Sequence, residues 1–467
     1  MVPPLLPGLT ASRREESSSR RPRYPKGGRY NRSQVSVLLL STYDLGKQPF
    51  GLASPAAWLT RAGLDVRMRD LSRDRLDPTE VERASVVAFY LPMHTATRLA
   101  LPVLDRIRAL NPTAKLCAYG LYAPLSEALL REHGVSFVFG PEAEPALVAL
   151  AAGEPSPFPG LPRLAFMTPE RRGLPDLTRY ASLRMPDGTD RVVGATDATR
   201  GCKHRCRHCP IVPVYEGQFR VVAVDVVLAD IDQQVVAGAQ HISFGDPDFF
   251  NGPTHARKVV DALHARHPSV TYDVTIKVEH LLKHRDLLPL LARTGCAFIT
   301  SAVEAVDDDV LAKLEKGHTR ADFVTAAALC RHAGVPLSPT FVAFTPWTTI
   351  EGYRDLVASV AELGLVEHVA PVQWGLRLLV THNSRLLELD DIRTRVQPFD
   401  RVTLTYPWVH DDPRVDAMQV DVMRAVGVSG TRPRAEIFAT VSTLAGVDSS
   451  PSINRATIPY LDEPWYC

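Results

Sequence analysis

The stretch "ATRGCKHRCRHCP" sets Cys202, Cys206 and Cys209 in C-x3-C-x2-C spacing, three of the chain's seven cysteines within eight residues. Thiolates select soft metals, so zinc and an iron–sulfur cluster are the two chemistries this spacing offers. A structural zinc site needs four closed protein ligands, and His204 or His208 would complete the set. Zinc fingers usually split their ligands into two pairs across an intervening loop or helix, whereas here all of them fall in one loop. A four-iron cluster on three cysteines keeps one iron without a protein ligand, and an open metal position marks a catalytic site. That iron would hold a small molecule by its amino and carboxylate groups. The other cysteines, Cys117, Cys296, Cys330 and Cys467, are scattered and make no disulfide framework.

Two series of alternating strands and helices must position this loop. The first runs from about Val35 to Gly153, with strands expected at "VSVLLL", "DVRMRDL", "SVVAFYLP", "AKLCAYG" and "VSFVFG" and helices such as "SPAAWLTRAG" between them. Such alternation implies an open parallel sheet of Rossmann type, with ligands beyond the carboxyl ends of its strands. His94, in "LPMHTAT", lies on one of those ends and is placed to line a cofactor or substrate pocket. Residues 154–194 are rich in Pro and Gly and read as a linker with one hairpin. The second series has strands expected at "VVGAT", "HISFGD", "TYDVTIKV", "CAFITSAVE", "LSPTFVAF" and "HVAPVQWGLRLL". About six β/α units predict a partial barrel, whose active site lies at the carboxyl ends of the strands. The cysteine loop follows the first of them. The stretch from Phe399 onward reads as partly helical.

The cysteine spacing resembles the radical SAM superfamily, whose fingerprint is C-x3-C-x-aromatic-C and whose fold is a partial (β/α)6 barrel. That resemblance implies a [4Fe–4S] cluster on Cys202, Cys206 and Cys209. It also implies S-adenosyl-L-methionine, cleaved by one electron to methionine and a 5′-deoxyadenosyl radical that removes hydrogen from a small-molecule or peptide substrate. An electron donor such as flavodoxin or ferredoxin is implied with it. His208 stands where the family has an aromatic residue packed near adenine. Gly245 and Asp246 in "HISFGDPDFFNG" stand in place of Gly-Gly-Glu, with a carboxylate for the cofactor's ammonium. Glu304 in "FITSAVEAVDDDVLAKLEKGHT" matches the fourth-strand glutamate at the ribose or methionine end. Lys277 in "TIKVEH" is a candidate for the cofactor carboxylate, and Arg377 in "QWGLRLLV" is a similar candidate on the last strand.

An open α/β domain before such a barrel resembles the cobalamin-binding subclass, and "GPEAEPALVALAAG" is similar to the Gly-x-Glu-x-Glu-x-x-Leu stretch that closes its cobalamin domain. The Asp-x-His-x-x-Gly motif that ligates cobalt from below is absent; the early loop reads "YDLGKQPFG". Cobalamin thus enters without a histidine ligand, if it enters at all. The expected organisation is a disordered extension over 1–34, a Rossmann-like domain over 35–153, a linker over 154–194, a barrel over 195–398 and an extension over 399–467. The readings this leaves are radical chemistry on an unassigned substrate, cobalamin-dependent methyl transfer, and a zinc-stabilised binding module.

"STYDLGKQPFGLASPAAWL", "VAFYLPMHTATRLA" and "EPWYC" resemble one narrower group, the radical SAM proteins with a CUAEP or CCAEP tail. In these a selenocysteine or second cysteine follows the position of Cys467. That resemblance implies a redox or ligand-carrying role for Cys467 and a chain cut at a recoded UGA codon. Composition narrows the remaining classes. A formal net charge of +1 gives no global field for nucleic acid or anionic membrane. No apolar run reaches the roughly 18–20 residues of a membrane span. Clustered thiols without an apolar signal core predict a reducing cytoplasm.

Overall fold

The computed structural model describes residues 35–155, 160–427, 432–447 and 459–462. The extension over 1–34 and the terminal Cys467 lie outside them. Strands β1 (Ser36–Ser41), β2 (Asp65–Asp70), β3 (Val86–Tyr90), β4 (Lys115–Tyr119) and β5 (Phe137–Val138) form a parallel sheet in the order β2-β1-β3-β4-β5. Leu38 and Leu40 of β1 pack with Leu104 and Ile107 on one face, while Val37 and Leu39 pack with Leu52 and Leu59 on the other. This is the period-two pattern of a strand held between two helical layers, and it explains why "SVLLLS" is apolar without interruption. The strand order reverses between β1 and β3. In such sheets the crevice at the reversal, beyond the carboxyl ends, is where ligands bind.

The second sheet contains β6 (Ser182–Arg184), β7 (Asp190–Thr196), β10 (His241–Phe244), β11 (Thr271–Thr275), β12 (Cys296–Glu304), β13 (Leu337–Phe341) and β14 (Tyr460–Asp462), in the order β13-β12-β11-β10-β7-β6-β14. Its members β7 and β10 to β13 are parallel, and β6 and β14 run antiparallel at one edge. A separate hairpin of β8 (Thr199–Gly201) and β9 (Phe219–Val221) carries the cysteine loop between its strands. The hairpin expected in the linker is β6 with β7. The expected sixth parallel strand does not form. "HVAPVQWGLRLL" instead follows a single turn at Val366–His368 and forms another at Pro371–Trp374, and one parallel bridge, Phe344 to Arg377, remains. Pro371 has no N–H to give to a ladder, so the Val-rich pattern there marks a buried turn, with Trp374 inside the core.

Two buried arginines fasten the sheets together. Arg171 donates in a fork to both oxygens of Asp230 at 2.7 and 2.8 Å, to Gln48 Oε1 at 2.7 Å and to the Ala195 carbonyl. Arg200 donates to Glu144 Oε1 at 2.8 Å and to Ser54 Oγ at 3.0 Å, with its guanidinium over the rings of Phe50 and Phe166. The helices Pro413–Val426 and Arg434–Ala445 close the barrel beside the lost strand, Phe438 lying 5.3 Å from Trp374 between ring centres. No described helix is long and apolar enough to cross a membrane.

Candidate active site

The cysteine loop leaves β8 at Gly201, whose φ of +78° suits glycine and whose missing Cβ would lie 2.4 Å from the Tyr215 ring. Cys202 and Cys206 are buried and Cys209 is partly so. Burial pushes the Cys209 thiol up to about 12 and raises Cys202 as well. Ligation needs thiolates, so metal uptake here releases protons. Buried Lys316 lies within electrostatic reach of Cys206 and Cys209, a fixed cation beside the negative charge of a thiolate-bound cluster.

Both histidines of the loop face carboxylates from other elements. His208 Nε2 lies 3.1 Å from Glu304 Oε1, and His204 Nε2 lies 3.2 Å from Asp248 Oδ2. Among the described residues, the set of three His, Cys, Asp or Glu ligand atoms lying within 4.8 Å of one another is His204, Asp248 and His280, not the cysteines. The three cysteines sit together on this one loop, and the His208 ring is paired with Glu304.

Glu304 ends β12 at a φ of +72°, a left-handed conformation that a non-glycine residue adopts at a cost of about 1–3 kcal/mol. Lys316 Nζ donates to the same Oε1 that faces His208, at 3.3 Å. Burial alone would raise this carboxyl, yet Lys316 and His208 together hold it down to about 2. His208, read as a planar substitute beside adenine, is thus first a partner of Glu304. Lys316 and His318, inside the quoted "LEKGHT", were not singled out from sequence. His318 is buried with no hydrogen bond on either ring nitrogen, and burial beside Lys316 and Lys277 brings it down to about 4, so it is neutral at pH 7. The glycine between them is required: Gly317 has φ +72°, and a Cβ would lie 3.0 Å from Glu279 Oε2.

Gly245 donates its N–H to the Thr196 carbonyl, and the Asp197 carboxylate fills the space of its missing side chain. Asp246 is buried, and both of its oxygens are used: Oδ2 accepts from the Ala198 N–H at 2.9 Å and Oδ1 from the Thr199 hydroxyl at 2.5 Å. Burial pushes it up to about 7. It holds the strand entering the cysteine loop, and an ammonium would have to share those oxygens. Lys277 follows β11, buried, 3.5 Å from Glu279 Oε2.

Gly245, Asp246, Asp197 and Arg200 line one wall of a cavity of about 420 Å³, whose other wall is the carboxyl edge of the first sheet, with Asp44, Lys47, Tyr90 and Tyr119. Pro141 is shared with a neighbouring cavity of about 660 Å³. That cavity in turn adjoins one of about 670 Å³ lined by His94, Tyr122 and Tyr406. His94 gives Nε2 to the Thr403 carbonyl contact at 2.6 Å and so joins the first sheet to the C-terminal segment. The "GPEAEP" stretch works at the same seam: Glu142 accepts from the Tyr215 hydroxyl at 2.9 Å and Glu144 from Arg200. Arg377 is not at the site. It donates to Asp416 and to the Trp408 carbonyl, both at 2.6 Å, and stacks on the Trp408 ring.

The radical SAM superfamily model matches residues 197–357. These residues are a radical SAM domain, an enzyme domain that implies a [4Fe–4S] cluster and S-adenosylmethionine, and the three cysteines with Lys316 beside them fit that cluster. The arrangement of open sheet and half-barrel is shared with cobalamin-dependent radical SAM enzymes. The structure of OxsB with aqua-cobalamin and S-adenosylmethionine bound aligns with a TM-score of 0.64 at 12% identity, over 88% of this chain and 71% of that one. The methyltransferase TsrM from Kitasatospora setae, with tryptophan substrate and aza-SAM, aligns with a TM-score of 0.57 at 18% identity over 71% of each chain. Among sequences, the hopanoid C-3 methylase of Methylococcus capsulatus is 22% identical over 333 residues, covering 67% of this chain. This chain spans 64% of that methylase's length.

Proposed function

We propose that this chain is a cobalamin-dependent radical SAM methyltransferase working in a reducing cytoplasm, with a flavodoxin or ferredoxin as electron donor. The observation that carries the reading is the cavity shared by the carboxyl edge of the first sheet and the mouth of the barrel, beside the cysteine loop. The carboxyl edge of the first sheet and the two ends of the cysteine loop, Gly201 and Ile211, thereby face one space. Among the described residues no histidine lines that cavity, so none of them would give a corrinoid there a cobalt ligand of the kind the Asp-x-His-x-x-Gly motif supplies. The methylases among the relatives support methylation as the reaction class.

Cys202, Cys206 and Cys209 would hold the cluster, which supplies an electron to S-adenosylmethionine when bound. The corrinoid, when bound, supplies a methyl carrier. The chain's own residues do the rest. Lys316 offsets the negative charge gathered by the thiolates. Glu304, kept ionised by Lys316 and His208, presents a fixed carboxylate to the ribose or methionine end of the cofactor. Lys277 is the cation for the cofactor carboxylate, and Gly245 and Asp246 line the space for its ammonium. Tyr90, Tyr119 and Leu121 give the cavity an apolar wall on the side of the first sheet.

The test is anaerobic reconstitution with iron, sulfide and hydroxocobalamin, then gel filtration and turnover with methyl-labelled S-adenosylmethionine and dithionite. The expected result is about one corrinoid per chain and labelled methylcobalamin. A chain that retains no corrinoid yet forms 5′-deoxyadenosine would move the assignment to radical chemistry without a methyl carrier. Loss of neither activity in Cys202→Ala, Cys206→Ala and Cys209→Ala would refute both.

A further inference from the structure

Beside the cysteine loop, and apart from its thiols, three side chains aim at one point. His204 Nε2 lies 3.2 Å from Asp248 Oδ2, and His280 Nδ1 lies 2.6 Å from the same oxygen. All three atoms lie within 4.8 Å of one another. Asp248 and His280 are no more than about one per cent exposed, and the His204 side chain is 11% exposed. Each of the three atoms is buried without a hydrogen bond of acceptable geometry, despite the short separations. The rest of the carboxylate is fixed, since Asp248 Oδ1 accepts from the Phe250 N–H at 3.1 Å.

A buried histidine with a purely structural task looks different, and the same barrel holds one. His241 sets Nδ1 against Thr271 Oγ1 at 2.8 Å and Nε2 against Asp273 Oδ1 at 2.9 Å, and both nitrogens are satisfied. Leaving three polar atoms orphaned in the interior costs roughly 1–3 kcal/mol each. One cation would satisfy all three. Bonds of about 2.0–2.2 Å to nitrogen and oxygen place neighbouring ligand atoms about 3 Å apart; here the two ring nitrogens lie 3.2 and 2.6 Å from the shared oxygen and within 4.8 Å of each other.

We propose that His204, Asp248 and His280 form a second metal site, distinct from the cluster, for one divalent transition ion of the zinc or iron(II) kind. Two imidazoles and one carboxylate are the donor set those ions favour, and magnesium or calcium would ask for oxygens. The Glu279 carboxylate, 3.5 Å from His204 Nδ1, supplies the carboxylate commonly found behind a metal-bound imidazole, and Lys277 lies 3.5 Å from that carboxylate. The ligands come from three places: the loop between Cys202 and Cys206, the turn after β10, and the helix Val278–Lys283 after β11. The ion therefore pins the cysteine loop to the ends of two barrel strands, holding the loop in place before any cluster forms.

The test uses the full chain carrying Cys202→Ala, Cys206→Ala and Cys209→Ala, which removes cluster iron from the count. After zinc loading and gel filtration, about one zinc per chain is expected by mass spectrometry. Cobalt(II) should give visible d–d absorption that zinc displaces. Asp248→Asn or His280→Gln in that background should weaken binding more than tenfold, and Glu279→Gln about tenfold. A folded thiol-free chain, judged by circular dichroism, that binds neither zinc nor cobalt overturns the proposal, as does binding indifferent to Asp248→Asn and His280→Gln. If the thiol-free chain does not fold, zinc-edge X-ray absorption on the cluster-loaded, zinc-loaded native chain decides. A nitrogen–oxygen shell supports the site, and a sulfur shell or no retained zinc refutes it.

Discussion

At the scale of single residues, the site depends on charges held in pairs inside the barrel. Lys316→Met leaves Glu304 buried with only His208 to answer it, and breaking such a pair costs about 3 kcal/mol. Urea unfolding of the cluster-free chain should show that loss, and reconstituted iron per chain should fall because the cation beside Cys206 and Cys209 is gone. Adding Glu304→Gln to Lys316→Met should return most of the stability and none of the iron. Glu142 gives a second measurement, in pH. Burial raises it from an ordinary 4.5 to about 7, so the fold prefers its protonated form. Its contribution is complete below about pH 4.5 and is lost as the pH rises through about 7. Glu142→Gln stays neutral and can still accept from Tyr215. The stability of wild type relative to that variant should therefore fall by about 3 kcal/mol between those pH values. The cysteines were legible because their spacing is local. The partnership of His208 with Glu304 spans 96 positions and that of His204 with His280 spans 76, and no local pattern announces either.

At the scale of elements, strands buried on both faces were easy to read and turns that imitate them were not. "SVLLLS" and "HISF" are strands as expected, because an uninterrupted apolar run fits a parallel strand between helices. "HVAPVQWGLRLL" shows the same surface pattern, yet Pro371 and Gly375 break the ladder and Arg377 is turned outward to Asp416. A pattern of burial reports burial, and the backbone donors decide what forms. The turn at Lys316–Gly317–His318 makes the same point energetically. Gly317→Ala must bear a positive φ and also a 3.0 Å contact with the Glu279 carboxylate. Gly63→Ala bears a similar φ of +79° with nothing within 4 Å. Both should lose about 1 kcal/mol to backbone strain, and Gly317→Ala should lose more by shifting Glu279 away from His204. Urea midpoints of the two variants measured side by side give the difference; equal losses would mean that the carboxylate moves freely.

At the scale of the whole molecule, the seam between the sheets is where the proposed chemistry would take place, and the sequence showed its two sides but not their joining. "GPEAEP" was legible as a loop at the carboxyl edge of the first sheet, after its last strand; that its second glutamate reaches Arg200, 56 residues on in the barrel, was not. Arg171, in the stretch read as a linker, was invisible for the same reason: a Pro- and Gly-rich context says nothing of a guanidinium buried against Asp230. Arg200 is the more exacting of the two. It serves Glu144, Ser54 and Asp197 and also lines the shared cavity. Arg200→Met keeps the apolar stem over Phe50 and Phe166 but strands Glu144 in the interior, at a cost of about 3–5 kcal/mol. That loss falls on the contact between the sheets and not on either core. Hydrogen exchange in low urea should therefore show β1, β3 and β4 losing protection before β10, β11 and β12 in Arg200→Met, whereas in wild type the two sheets open together. Corrinoid retention should fall with the seam, because one wall of the cavity moves. If both sheets still open in one step, the seam is not what couples them, and the cavity's shape rests on Arg171 instead.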